Sequence, residues 1–148
     1  AMPSVVIGSD HGGFALKAEL IEFMNAMGVR VEDVGTRTPD PCDYPDLAHA
    51  VAVRVAGGGA GLGIMIDGAG VGSCMAVNKV PGIRAALCGD AYTADGARRW
   101  NDANVLAISL RATSTAELAE ILDAWFAGAP SPEDDDRANV AHLSEIES

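Results

Sequence analysis

The sequence predicts an α/β protein with three layers, a doubly wound five-stranded parallel sheet between helices. Three observations carry that prediction. Short β-rich runs alternate with segments of helical period along most of the chain, the pattern of repeated βα units. Hydrophobic residues make up 49% of the sequence but aromatic ones only 5%. The core must therefore be built from Ala, Val, Ile, Leu and Met, which suits a parallel sheet covered on both faces. At 148 residues the chain is long enough for one proper core and too short for two comfortable ones. The expected architecture is Rossmann-like, followed by a C-terminal tail.

Taken in order, the expected strands are 4–8, 29–34, 62–66, 83–88 and 105–108, and the expected helices 13–27, 45–56, 71–79, 91–100 and 115–127. In the first helix Leu16, Leu20, Phe23, Met24 and Met27 recur at three and four residues, with Lys17, Glu19 and Glu22 between them. In the last, Leu118, Ile121, Leu122, Trp125 and Phe126 form an apolar stripe. Ser114 and Glu117 make a capping box at its start, and Gly128 closes it. Residues 1–128 thus read as the α/β domain and 129–148 as an acidic tail. Glu133 to Asp136 reads there as a solvated loop. A short helix with Val140, Leu143 and Ile146 follows, expected to pack on a neighbouring subunit.

Ten basic against 21 acidic residues leave a net charge of −11, which argues against nucleic acid as a partner, since that affinity depends on Lys and Arg meeting phosphates. The sequence shows neither a signal-peptide pattern nor an 18-residue apolar span, so a membrane is not an expected partner and the expected location is the cytoplasm. Cys42, Cys74 and Cys88 are odd in number and have no metal-type spacing; they fit a reducing compartment. No metal or cofactor is expected.

The stretch 62–79, LGIMIDGAGVGSCMAVNK, is the most informative. An apolar strand ends at Asp67 and meets Gly68, Gly70, Gly72 and Ser73, after which an apolar helix begins. Glycines let the backbone approach a ligand closely, and the first amides of a helix are unpaired donors. Together they suit a phosphate or another oxyanion. Asp67 beside them is either a base that removes a carbon-bound proton or a cap on the next helix. A dinucleotide fingerprint is the weaker reading. Ser73 occupies the sixth position of the motif, and the motif follows the third strand instead of the first.

Three other polar clusters accompany that stretch, and two glycine turns at one sheet edge can converge on one small ligand. The first strand ends in Ser9-Asp10-His11-Gly12-Gly13, a second glycine turn on the expected ligand edge. Cys42-Asp43-Tyr44-Pro45-Asp46 leads into the second helix. Trp100-Asn101-Asp102-Ala103-Asn104 precedes the fifth strand, and Arg111 follows it. Cys74 lies on an apolar helix and reads as core, while His49 and His142 read as structural or surface residues.

Together IGSDHGGFALK, DYPDLA, the glycine loop with AVNKVPGIRAALC, and NDANVLAISLR resemble the ribose-5-phosphate isomerase B and galactose-6-phosphate isomerase family. The resemblance implies a cytoplasmic aldose–ketose isomerase, an intramolecular oxidoreductase of carbohydrate metabolism. Its substrate would be a small phosphorylated sugar of the pentose phosphate kind. It also implies a metal-free enediolate route and a homodimer or homotetramer with sites shared between subunits. By resemblance, Asp10 and His11 contact sugar hydroxyls or phosphate and Tyr44 lines the sugar site. Gly68, Gly70, Gly72 and Ser73 form the cradle for the enediolate. Asn101 is a polar site residue and Arg111 a phosphate ligand.

Departures from the family pattern fall on the chemical positions. Asp67 stands where most members carry a cysteine base, Ala69 where they carry threonine, and Trp100 where many carry a ring-opening histidine. The glutamate base of some members is Ser73 here. The carboxy-terminal Arg-His…Arg phosphate motif is missing, with Arg137 as a stand-in for one arginine. Asp67 is the candidate catalytic base. The alternatives are a non-catalytic subunit of a heteromeric galactose-6-phosphate-type isomerase, paired with a cysteine-bearing homologue, and a phosphosugar-binding module without turnover.

Overall fold

In the computed structural model, which describes residues 4–38 and 40–147, the chain runs β1 (Ser4–Ser9), α1 (Phe14–Ala26), β2 (Arg30–Asp33), α2 (Tyr44–Ala56), β3 (Leu62–Asp67), α3 (Val71–Val77), β4 (Ala85–Leu87), α4 (Ala91–Asn101), β5 (Val105–Ser109), α5 (Thr115–Ala127) and α6 (Asp134–Glu145). A single 3-10 turn, His11–Gly13, joins β1 to α1. The five strands form one parallel sheet in the order β2-β1-β3-β5-β4. Winding reverses between β1 and β3, because β2 lies on one side of β1 and β3 on the other. Open α/β sheets leave a crevice at such a switch point, outside the carboxyl ends of the strands. Here the flanking ends carry Asp10 and Asp67.

The sheet separates two apolar layers. On one face Val5, Ile7, Leu62, Ile64, Ile66, Leu106 and Ile108 pack against Leu20 and Met24 of α1 and Leu118, Ile121, Leu122 and Trp125 of α5. On the other, Val6, Met65 and Val105 meet Ala48, Val51, Ala52 and Val55 of α2 and Val77 of α3. Every residue of β3 and β5 is buried, as continuous rather than alternating apolar strands require. The Ser114–Glu117 capping box is present: Ser114 Oγ accepts from Glu117 N at 3.2 Å, and Glu117 Oε1 accepts from Ser114 N at 2.9 Å. Gly128 caps α5 in an extended conformation, φ −70° and ψ 148°, and not in the left-handed one.

Three expectations need correction. The second and fourth strands are shorter than their β-rich runs, four and three residues, because both are edge strands paired on one side only. The acidic run is not a loop beyond Glu133: Asp134, Asp135 and Asp136 are the first turn of α6, a 12-residue helix. Carboxylates at a helix amino terminus lie favourably in its dipole field, so the run starts the helix instead of excluding it. Lys17, read as one of the polar residues between apolar positions of α1, is buried at 2% exposure with its ammonium 2.7 Å from Asp33 Oδ1.

Candidate active site

The carboxyl edge of the sheet collects residues from four loops. Asp10 follows β1 directly and its Oδ1 accepts from Gly13 N at 2.9 Å, fixing the turn that carries His11. His11 is exposed, and its Nδ1 accepts from the Cys42 amide at 3.4 Å. The loop before α2 is thereby tied to the first strand's turn. Tyr44, the first residue of α2 and 40% exposed, lies against the glycine loop: a Cβ at Gly72 would sit 2.8 Å from its Oη.

Asp67 ends β3 with only 7% exposure. Its Oδ2 accepts from Ser73 N at 3.2 Å, whereas its buried Oδ1 has no hydrogen-bond partner among the described residues. An unpaired carboxylate oxygen is costly to bury, which makes Oδ1 the group with capacity left for a proton or a donor. Gly70 adopts φ +78°, and a Cβ there would collide with Leu87 Cδ1 and approach Ser109 N to 3.1 Å. Only glycine fits, and the turn it permits folds the loop back so that Ser73 N reaches Asp67.

The β5–α5 loop braces the same turn. Leu110 N donates to Asp67 O at 2.9 Å, while Arg111 N and Ser109 Oγ both donate to Gly68 O at 3.0 Å. The Arg111 guanidinium lies beside Gly68, its Nε 3.6 Å from where a Cβ would be, and makes no ion pair among the described residues. It supplies local positive potential in an acidic chain. Ser109 carries no motif that marks it in the sequence; its place at the carboxyl end of a buried strand is the one available signal.

Asn101 and Arg137 lie elsewhere in the protomer. Asn101 ends α4, which returns antiparallel to the strands, so it sits at the amino edge of the sheet. Arg137 on α6 lines a cavity of about 420 Å³ with Arg99, Trp100 and Val140. Trp100, 43% exposed, folds over Gly96 and meets the Tyr92 ring edge-on at 6.0 Å. Burial pushes the half-buried Cys74 thiol up, and the nearby Asp67 charge adds to this, so it is poorly disposed to act as a thiolate base. Among the described residues no group of three His, Cys, Asp or Glu side chains is placed to hold a metal, and no helix is long and apolar enough to cross a membrane.

This is a doubly wound fold with a buried carboxylate and a glycine loop at its switch point, and beside that loop an arginine that makes no ion pair among the described residues. The sequence pattern described as Ribose/Galactose Isomerase matches residues 5–143, and the chain belongs to that family. It is similar to ribose-5-phosphate isomerase B of Escherichia coli, 44% identical over 124 residues that cover 84% of this chain and 83% of that protein. It is also similar to D-erythrulose-4-phosphate isomerase of Pectobacterium atrosepticum, 37% identical over 84% of this chain and 82% of the relative. Among solved structures, ribose-5-phosphate isomerase B of Mycoplasma genitalium with bound ribulose-5-phosphate superposes with a TM-score of 0.91 at 37% identity, covering 97% of this chain and 95% of that one.

Proposed function

We propose that this chain is an aldose–ketose isomerase acting on a small phosphorylated sugar through an enediolate, with Asp67 as the base. The observation that carries the reading is the unpartnered, buried Asp67 Oδ1 at the end of β3 beside the glycine loop. In the reaction, Oδ1 takes the proton from the carbon next to the carbonyl and the electron pair moves to the carbonyl oxygen. The amides of the Gly68–Ser73 turn stabilise the resulting oxyanion. The hydroxyl proton of the neighbouring carbon passes to that oxyanion, the oxygen it leaves becomes the new carbonyl as its electron pair shifts, and Oδ1 returns the abstracted proton to the former carbonyl carbon. A carboxylate is adequate for this step, since a glutamate serves as the base of triosephosphate isomerase. His11 and Arg111 hold the phosphate, and Asp10 and Tyr44 hold the sugar.

The active assembly in this reading is at least a homodimer, in which Asn101 and Arg137 of one protomer complete the site of the other. Two observations support it. No residue of α6 is buried in its own protomer, and Val71 and Met75, one turn apart on α3, are exposed large apolar residues, as is Leu87 at the end of edge strand β4. The tail 129–148 is then an assembly element. A second reading, a non-catalytic subunit, draws on the Asp67 Oδ2 bond to Ser73 N, which is the geometry of a cap. A panel of four-, five- and six-carbon sugar phosphates assayed on the pure protein separates them. Turnover with deuterium entering C2 supports the isomerase; binding without exchange replaces it by the silent subunit or binding module.

A further inference from the structure

We propose that Lys17, buried behind the candidate site and outside it, is a positioning residue that sets His11 and Tyr44 in place. Its ammonium donates to Asp33 Oδ1 at 2.7 Å and to the carbonyl oxygen of Thr36, and lies 5.6 Å from the centre of the Phe14 ring. Asp33 in turn accepts from Gly35 N at 2.9 Å. One buried charge therefore organises residues 33–36 just beyond the end of β2.

Those residues hold the end of β1 through both backbone groups of Ser9. Ser9 N donates to Gly35 O at 2.9 Å, and Thr36 N donates to Ser9 O at 3.0 Å. Asp10 and His11 follow Ser9 directly. The same loop continues to Cys42, whose amide meets His11 Nδ1, and to Tyr44 over Gly72. Lys17 thus holds the residues that bond Ser9, two before His11, and the start of the loop that leads on to Cys42.

The choice of residue needs a reason other than stability. Lys17 shares a helix face with the buried Leu20 and Met24, where an apolar side chain would avoid the desolvation of a charge. Buried ion pairs are often no more stabilising than an apolar replacement. What an ammonium supplies, and methionine does not, is directed bonds to two points on one loop. Asp33 is 35% exposed, so water can take over its carboxylate when Lys17 is replaced.

The kinetic part of the test rests on the isomerase reading; the spectroscopic part does not. Full-length wild type, Lys17→Met and Lys17→Gln are compared by NMR of the Cys42 amide and the His11 ring nitrogens, and by steady-state kinetics with D-ribose 5-phosphate. In a folded Lys17→Met, both signals shift by several linewidths while the Trp125 indole signal stays in place. KM rises roughly tenfold, as for misplacing a positioned group, and kcat changes less, because Asp67 is on β3 and outside the Lys17 network. Unmoved Cys42 and His11 signals in a folded variant overturn the proposal, as does a tenfold fall in kcat with unchanged KM. If Lys17→Met does not fold, Lys17→Gln, whose shorter and neutral side chain cannot hold Asp33 and Thr36 together as the ammonium does, carries the same comparison with smaller shifts in the same direction. Should wild type not turn over the sugar, the isomerase reading loses that substrate, and the NMR signals alone decide the role of Lys17.

Discussion

The Tyr44 ring lies so close to Gly72 that a Cβ on the glycine would be 2.8 Å from both Cζ and Oη of the phenol. The contact joins the first residue of α2 to the first turn of α3, closing a wall over the loop that also bonds Asp67. Gly72→Ala therefore displaces the Tyr44 ring. Gly72→Ala and Tyr44→Ala are expected to weaken sugar phosphate binding by similar factors, roughly tenfold each, and the double variant by little more than either, since residues in contact are not additive. Calorimetric titration of all four proteins checks this; full additivity would break the link.

Arg111 is held by its own backbone to Gly68 and carries a guanidinium with no ion pair among the described residues. Arg111→Ala should weaken binding of a phosphorylated sugar far more than of the same sugar without phosphate. Charge-assisted bonds of this type contribute about 1.5–3 kcal/mol, or roughly ten- to a hundredfold in affinity. An equal loss for both ligands would remove Arg111 from the phosphate site.

Assembly makes a separate prediction. With none of its residues buried, α6 has little reason to hold its place on a lone protomer. Light scattering at micromolar concentration should find at least a dimer. A chain ending at Gly128 should dissociate or lose thermal stability. A monomeric full-length protein, or a truncated one that is unchanged in both respects, contradicts the tail's assembly role.

The cysteines give a pH-dependent test of the electrostatics around Asp67. Burial raises the Cys74 thiol above its ordinary value, with the Asp67 charge contributing, and burial foremost pushes Cys88 up to about 12. Only the thiolate is alkylated, so a raised value means slower reaction at neutral pH and a rate that keeps climbing beyond the point where an ordinary thiol levels off. Iodoacetamide should modify Cys74 slowly at pH 7 and Cys88 only on unfolding. Asp67→Asn removes a neighbouring negative charge and should speed Cys74. A slower or unchanged Cys74 would mean that the Asp67 charge is not felt there.

The layer order and the two glycine turns are legible in the sequence because both are local: alternating βα periods and glycines at strand ends follow from neighbouring residues. Gly68, Gly70 and Gly72 lie where such a reading puts them. What escapes it depends on partners distant in sequence. Lys17 looks like a solvated lysine until Asp33 and Thr36 are brought to it, and Ser109 looks like one more strand residue until Gly68 O is seen to accept its hydroxyl. The acidic run misleads because net charge says where water is tolerated, while the helix dipole decides whether four carboxyl-bearing residues can begin a helix. Asn101 and Arg137 come from a reading of the same kind as His11, yet the protomer places them away from the carboxyl edge of the sheet. No local pattern distinguishes a residue that serves its own site from one that serves a neighbour's.

The most exposed prediction concerns Asp67. Asn at this position keeps an oxygen to accept the Ser73 amide, so the loop and the ligand affinity should survive. An amide, however, cannot take up the carbon-bound proton. If Asp67 is the base, Asp67→Asn should lower turnover by roughly 10²–10⁴-fold, the usual contribution of general base catalysis, at nearly unchanged Kd. Solvent deuterium should enter C2 of the substrate with the wild type and hardly at all with the variant. Asp67→Cys is the complementary test, because it restores the residue usual in the family. Ala69 and Trp100 remain at altered positions, so only part of the activity should return. Asp67→Asn with wild-type exchange would reduce Asp67 to the cap that its Oδ2 bond to Ser73 N already resembles, and the base would have to be sought among the other groups at the β1–β3 switch point.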